Sequence, residues 1–376
     1  AVVRFSFEIA EDASGPWTVV KAVPVKSGEA AMVSFSQQVR GEWIRVVTDQ
    51  TTKATAHFSY SDDEGRTTSP DKIFDGLDSI GDQVCAGGLL YGLGNDRRAL
   101  GMHAMTFNGS EGSDEGYYEL SGEMRLEKKD DREADRFIKE KFAIPEDVVT
   151  VDASSVLIVD DQGRRWRLPL GSDDFTGPTK TASMRIAREV ATERDLMNCH
   201  GTFYELPAEN ADGFAKIRPV ASHHFRIHDY ASYRGMLIMS GVDPERGKNN
   251  PHVIVSDDGR TAVWAGVIDD LWKLGKPVGR GGPWKNTVVQ AGEPSDPYLI
   301  GFYDRRKLSL SHNSNEAVNF VIEVEPIGHG PWMKYMEVTV DRGETFEHPF
   351  PGDFQARWIR FTANKHVTAT AWLNYD

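Results

Sequence analysis

The strongest constraint on this chain is that its end repeats its beginning. Shifted by 315 positions, residues 1–61 align on residues 316–376 without a gap. Gly15-Pro16-Trp17 falls on Gly330-Pro331-Trp332, and Trp43-Ile44-Arg45 falls on Trp358-Ile359-Arg360. Val23, Val25, Gly28 and Glu29 fall on Val338, Val340, Gly343 and Glu344. Ala54-Thr55-Ala56 falls on Ala369-Thr370-Ala371, and Tyr60 on Tyr375. Tryptophans held in register over such a span do not arise by chance. A third, partial copy sits at Gly282-Pro283-Trp284, followed by Val288, Gly292 and Glu293.

The repeated unit is written in strands. Phe5-Ser6-Phe7-Glu8-Ile9 and residues 318–324 alternate with period two, while residues 358–361 and 369–373 are short, β-branched and aromatic. Further short strands are expected at 87–91, 155–159, 236–239, 252–255 and 261–264. Asp160-Asp161-Gln162-Gly163 and Ser256-Asp257-Asp258-Gly259 read as hairpin turns. One short, charged helix is expected from Asp131 to Phe142. The fold class is therefore all-β. A repeat of about 50 residues in a chain of this length predicts a seven-bladed β-propeller. Residues 1–376 then form a single domain, with 1–61 and 316–376 as first and last blades meeting to close the ring. The competing arrangement is a pair of β-sandwich modules flanking a central domain.

Acidic residues outnumber basic ones, 57 to 43, for a formal charge of −14. Such a surface repels phosphate backbones, which excludes a general nucleic-acid binder. No apolar run approaches the roughly 20 residues of a membrane helix. Cys85 and Cys199 are too few for a disulfide scaffold or a four-cysteine zinc site. They lie on different strands and are expected to be free and buried. Ala1-Val2-Val3-Arg4-Phe5 reads as strand, without the pattern of a signal peptide. P-loop, His-Glu-x-x-His, Gly-x-Ser-x-Gly and Cys-x-x-Cys motifs are absent.

Against this acidic background, residues 194–234 collect cations, imidazoles and phenols, including four of the eleven histidines. Arg194, Arg226 and Arg234 suit bidentate pairing with a uronate carboxylate. His200, His223, His224 and His228 are candidates for proton transfer, assisted by Tyr204 or Tyr230. Adjacent side chains on a strand point to opposite faces, so at most one of His223 and His224 serves a site. Trp272, Trp284 and Tyr298 offer rings for a sugar to stack on. Each carries a plainer reading: a histidine beside a strand is commonly a structural hydrogen-bonder, and Trp284 belongs to the repeated Gly-Pro-Trp core. His103 is open between the two.

Residues 192–196 and 200–207, with His228-Asp229-Tyr230 and Tyr233-Arg234-Gly235, resemble one group of carbohydrate-active proteins. These are seven-bladed propellers related to enzymes that remove rhamnose capping glucuronic acid on arabinogalactan-type polysaccharides. The terminal pattern over 330–371 is similar as well. The group includes hydrolases, lyases and members with no assigned activity. Its hydrolases use a single His on the face opposite the usual mouth, which matches no position here. Its lyases use His and Arg at the mouth, sometimes with calcium, so calcium is the cofactor the resemblance raises. The resemblance implies a periplasmic or secreted monomer acting on an acidic oligo- or polysaccharide. The expected activity is cleavage beside a uronic acid, by β-elimination ahead of hydrolysis. The alternative from another class is a non-catalytic propeller binding glycan or protein.

Overall fold

The computed structural model describes residues 1–376 except 37, 61–64, 94–97, 110, 177–183, 192–193 and 329. Strands β1 (Val2–Ala10), β2 (Thr18–Lys26) and β3 (Trp43–Thr48) form a first sheet in the order β2-β1-β3. A second sheet follows the chain: β4 (Val84–Gly92), β5 (Leu100–Asn108), β6 (Glu111–Leu120) and β7 (Leu126–Lys128). Helix α1 (Arg132–Lys141) comes next, where the sequence predicts it. Asp131 caps it, its carboxylate accepting the Ala134 N–H at 3.0 Å. Ile138 on its inner face packs on Leu89 and Tyr117.

Strands β8 (Thr150–Val151), β9 (Val156–Val159) and β10 (Arg165–Leu168) are built around the predicted Asp160–Gly163 turn. Then come β11 (Ala187–Ala191), β12 (Arg194–Cys199), β13 (Thr202–Pro207) and β14 (Arg218–Ser222), paired in chain order. Strands β15 (Tyr230–Tyr233), β16 (Met236–Met239), β17 (Val253–Val255) and β18 (Ala262–Gly266) pair in the order β15-β16-β18-β17. A buried carboxylate ties three of these sheets together. Asp229, fully buried ahead of β15, accepts from Arg185 and Arg188 at 3.0 Å and from the Leu90 N–H at 2.9 Å. Arg188 also donates to the Leu90 carbonyl at 2.8 Å. A buried charge is tolerated only when paired in this way.

The remaining strands are β19 (Gly279–Val289), β20 (Tyr298–Leu299), β21 (Arg306–His312), β22 (Val318–Glu325), β23 (Met333–Val340), β24 (Thr345–Pro349), β25 (Trp358–Ala363) and β26 (Val367–Tyr375). They separate into two sheets. One runs β19-β26-β21-β24. The other runs β23-β22-β25-β20 and continues into β10-β9-β8 through the parallel pairing of Arg167 with Tyr298. Leu308 and Leu310 from one sheet, and Phe320, Ile322 and Phe361 from the other, share one core and are fully buried.

Among the described residues there are six sheets, none closed on itself. The chain is all-β, as expected. The repeat, however, does not fold as one blade per copy. In the C-terminal copy β22, β23 and β25 lie in one sheet while β24 and β26 lie in the facing one. Strands with an apolar stripe on alternate residues bury it against another sheet, which is sandwich packing. The N-terminal copy reproduces the first of these sheets, with β2-β1-β3 matching β23-β22-β25.

Candidate active site

The predicted histidines are interior, apart from the exposed His224. His223 accepts the Phe225 N–H at Nδ1 (3.1 Å), which leaves its proton on Nε2, 3.1 Å from Asn198 Oδ1. Both ring nitrogens are engaged, and burial pulls its pKa down to about 3. His228 Nδ1 lies 3.1 Å from both the N–H and the carbonyl of Gly88, with the ring against Phe107; burial lowers its pKa to about 4. His200, in the left-handed region at φ 49°, accepts the Gly171 N–H at Nδ1 (2.8 Å). Its Nε2 therefore carries the hydrogen, and it is buried without a partner among the described residues. Burial holds its pKa near 4. A neutral imidazole whose lone pair already accepts a backbone N–H has none left to act as a base. His200 and His223 are thus locked as framework.

The other predicted residues separate. Tyr230 is fully buried and its hydroxyl sits 2.7 Å from the Leu196 carbonyl and 3.1 Å from that of Ile186. Tyr204 is fully buried in the C-terminal core with Cys199, Tyr298 and Tyr303. Trp284 is buried against Phe361, so neither it nor Tyr298 has a face for a sugar. Arg226 is buried over the Phe107 ring at 4.6 Å. Arg194 opens β12, and its side chain lies outside the described residues. Among the described side chains, His200 and His223 both lie against the Phe175 ring, and His228 and Arg226 both lie against Phe107; all four are buried rather than set at a mouth.

Arg234 is the exception. It lines a cavity of about 400 Å³ together with Arg98, Glu119, Glu123, Glu127 and Lys129. Arg234 and Gly235 have φ of 50° and 78° and form the two-residue turn joining β15 to β16. That turn lifts the guanidinium over the β6–β7 hairpin, where a Cβ on Gly122 would stand 3.1 Å from Arg234 Nη1. Tyr233 fixes the rim from below by donating to the Arg98 carbonyl. Across the hairpin Glu119 faces Glu127 in register. Directly opposed residues hold their Cβ atoms about 4.5–5.5 Å apart. Glu119 accepts the Tyr117 hydroxyl at 2.8 Å, and Glu127 pairs with Lys129 at 2.6 Å. The cavity thus combines two opposed carboxylates with two arginines. Sequence reasoning missed Glu119, Glu127 and Arg98: strand register sets the two glutamates face to face, and the segment ahead of β5 adds Arg98 to the lining.

His103 is buried, its Nδ1 2.8 Å from Asp135 Oδ1 and 3.9 Å from Asp114 Oδ1. The Lys139 ammonium bridges the same two carboxylates at 2.6 and 3.0 Å, so a cation already occupies the middle of this group. Its donors, an imidazole and a lysine beside two carboxylates, do not fit calcium, which takes six to eight oxygens. Cys85 and Cys199 are free and buried, as expected; burial raises the Cys199 thiol to about 12, leaving it inert.

No protein-family model and no curated protein sequence matches the chain. Among solved structures, the exo-β-1,3-galactanase of Phanerochaete chrysosporium with galactose aligns with 74% of this chain and 75% of its own, at 8% identity and a TM-score of 0.18. A protein titled glycoside hydrolase aligns with 80% of this chain and 96% of its own, at 11% identity and a TM-score of 0.16. These superpositions are too loose to define a shared fold.

Proposed function

We propose that the chain is a carbohydrate-active enzyme that hydrolyses a glycosidic bond in an acidic saccharide at the Arg98–Arg234 cavity. The observation that carries this reading is the register opposition of Glu119 and Glu127 beneath two guanidinium groups. One carboxyl protonates the leaving oxygen and the other acts as nucleophile or base. The arginines hold a uronate carboxylate. β-Elimination, favoured from the sequence, needs a base with a free lone pair; at His200 and His223 that lone pair already accepts a backbone N–H, which is why the reading moves to the paired carboxylates. The resemblance to rhamnosyl-glucuronate enzymes makes glucuronate-bearing arabinogalactan the first substrate to try, and a secreted or periplasmic monomer is part of the same proposal.

The test is release of reducing ends from uronate-containing polysaccharides, followed beside the ultraviolet absorbance of unsaturated products. Hydrolysis gives reducing ends alone. Glu119→Gln and Glu127→Gln should each lower kcat by about 10²–10⁴ with unchanged melting, and Arg234→Ala should raise KM. Unsaturated product, or full activity in both glutamine variants, overturns the reading.

A further inference from the structure

The C-terminal copy of the repeat shows what its fold needs in order to close. There β21 lies between β24 and β26, antiparallel to both, with Leu310 opposite Phe346 on one side and Ala371 on the other. Leu308 and Leu310 are fully buried in the core shared with Phe320 and Ile322. The segments of the N-terminal copy that match β24 and β26 are residues 30–34 and 52–60. Both are described, yet neither belongs to a strand, and among the described residues no backbone hydrogen bond holds either of them.

The side chains tell the same story. Ala54 and Ala56 are exposed, where their counterparts Ala369 and Ala371, which flank β21, are buried. Phe5 and Phe7 are half-buried, where Phe320 and Ile322 are fully buried. Met32 and Tyr60 are exposed as well. Two stretches of unpaired backbone over a half-covered apolar face make a template for one more strand.

We propose that residues 30–34 and 52–60 form the acceptor site for an extended segment of a partner protein, with aliphatic side chains at positions i and i+2. The acceptor backbone supplies hydrogen bonds on both sides of the incoming strand, and alternate side chains drop onto Phe5 and Phe7. Its chemistry is read from β21, whose Leu308 and Leu310 do this in the C-terminal copy. The incoming strand is also uncharged along this stretch. Residues 30–34 and 54–56 carry no charged side chain, and Met32 stands where Glu347 pairs with Lys307 in the other copy. A second copy of this chain does not supply the strand from its own β21, which is already hydrogen-bonded along both edges. The site shares no residue with the Arg98–Arg234 cavity, so it stands apart from the hydrolase reading.

The probe is a synthetic peptide of residues 305–313, titrated into the full chain and followed by hydrogen exchange. Residues 30–34 and 52–60 should exchange more slowly by about tenfold or more, while β22 and β25 stay unchanged. The same peptide with Leu308→Asp and Leu310→Asp should protect nothing. A second variant carries residues 306–315 fused directly ahead of Ala1, the spacing β21 has from residue 316. In it the two segments should be protected without peptide, and added peptide should slow exchange no further. The proposal is overturned if either the peptide or the fusion leaves exchange there unchanged, or if the aspartate peptide protects equally. It is also overturned if the wild-type chain alone gains protection there as its concentration rises, since a second copy would then be the occupant.

Discussion

The two copies of the repeat share one three-stranded sheet and differ in how it is covered. In both, the first strand pairs with the second in one register, Phe5 opposite Val23 and Phe320 opposite Val338, with a bulge at the same step. In both, an arginine lies over the Gly-Pro-Trp ring and pairs with a glutamate: Arg45 over Trp17 at 4.1 Å with Glu8, Arg360 over Trp332 at 4.3 Å with Glu323. The inner faces differ. Phe320, Ile322 and Phe361 are fully buried, while their counterparts Phe5, Phe7 and Val46 stay half-buried. The cause is β21, which hydrogen-bonds both β24 and β26 and precedes residue 316, outside the repeated stretch. In the N-terminal copy the matching segments, 30–34 and 52–60, lack a strand between them and form no ladder. Phe35 and Phe58 only lean edge-on against Phe7, at 5.4 and 6.4 Å. Register and outer face are thus encoded inside each copy, whereas burial is supplied from outside it.

Acid should open the middle of the molecule before either copy's sheet. His200, His223 and His228 have folded pKa values of about 4, 3 and 4, below the unfolded value of 6.5. Their stabilising share is complete above pH 6.5 and is lost as pH falls toward the folded values, on the order of 3 kcal/mol each. Asp78, raised to about 6 by burial, works the other way and relieves a cost over part of that window. Three imidazoles outweigh one carboxyl. Melting temperature should fall steeply from pH 6.5 to 4, and His223→Gln should flatten the slope. Hydrogen exchange should show β13 to β15 losing protection while β22 and β25 keep it; the reverse order breaks the comparison.

Truncating matched core residues gives the next effect. Phe320→Ala should cost about 3–5 kcal/mol, and Phe5→Ala about 1 kcal/mol, read from paired denaturant melts. Equal losses would mean that the N-terminal inner face is as well covered as its twin. The smallest effect belongs to the shared outer motif. Arg45→Ala and Arg360→Ala should each cost no more than about 1 kcal/mol, and equally, because a surface ion pair over a ring contributes little in either copy.

What the sequence displays is what neighbours in the chain decide. Alternation in residues 318–324, the Asp160–Gly163 and Ser256–Gly259 turns, and Asp131 as a helix cap were all readable, since each depends on a few adjacent residues. The assignment of β24 and β26 to a different sheet from β22 was not, because it depends on partners supplied by β19 and β21. The site follows the same rule. Arg234 was visible as a local cation beside Gly235. Glu119 and Glu127 looked like ordinary surface carboxylates until the hairpin set them face to face.

The parallel contact of β10 with β20 has a consequence for the nascent chain. Arg165 meets Asp296 131 residues later, so the β8–β10 hairpin emerges from the ribosome with an open edge. At ordinary elongation rates that edge waits on the order of ten seconds for its neighbour. During that interval Val156 and Ile158, later covered by the C-terminal sheets, face water or a chaperone. Translation speed between codons 168 and 298 therefore becomes a determinant of yield, since slowing it lengthens the exposure of this unpaired edge.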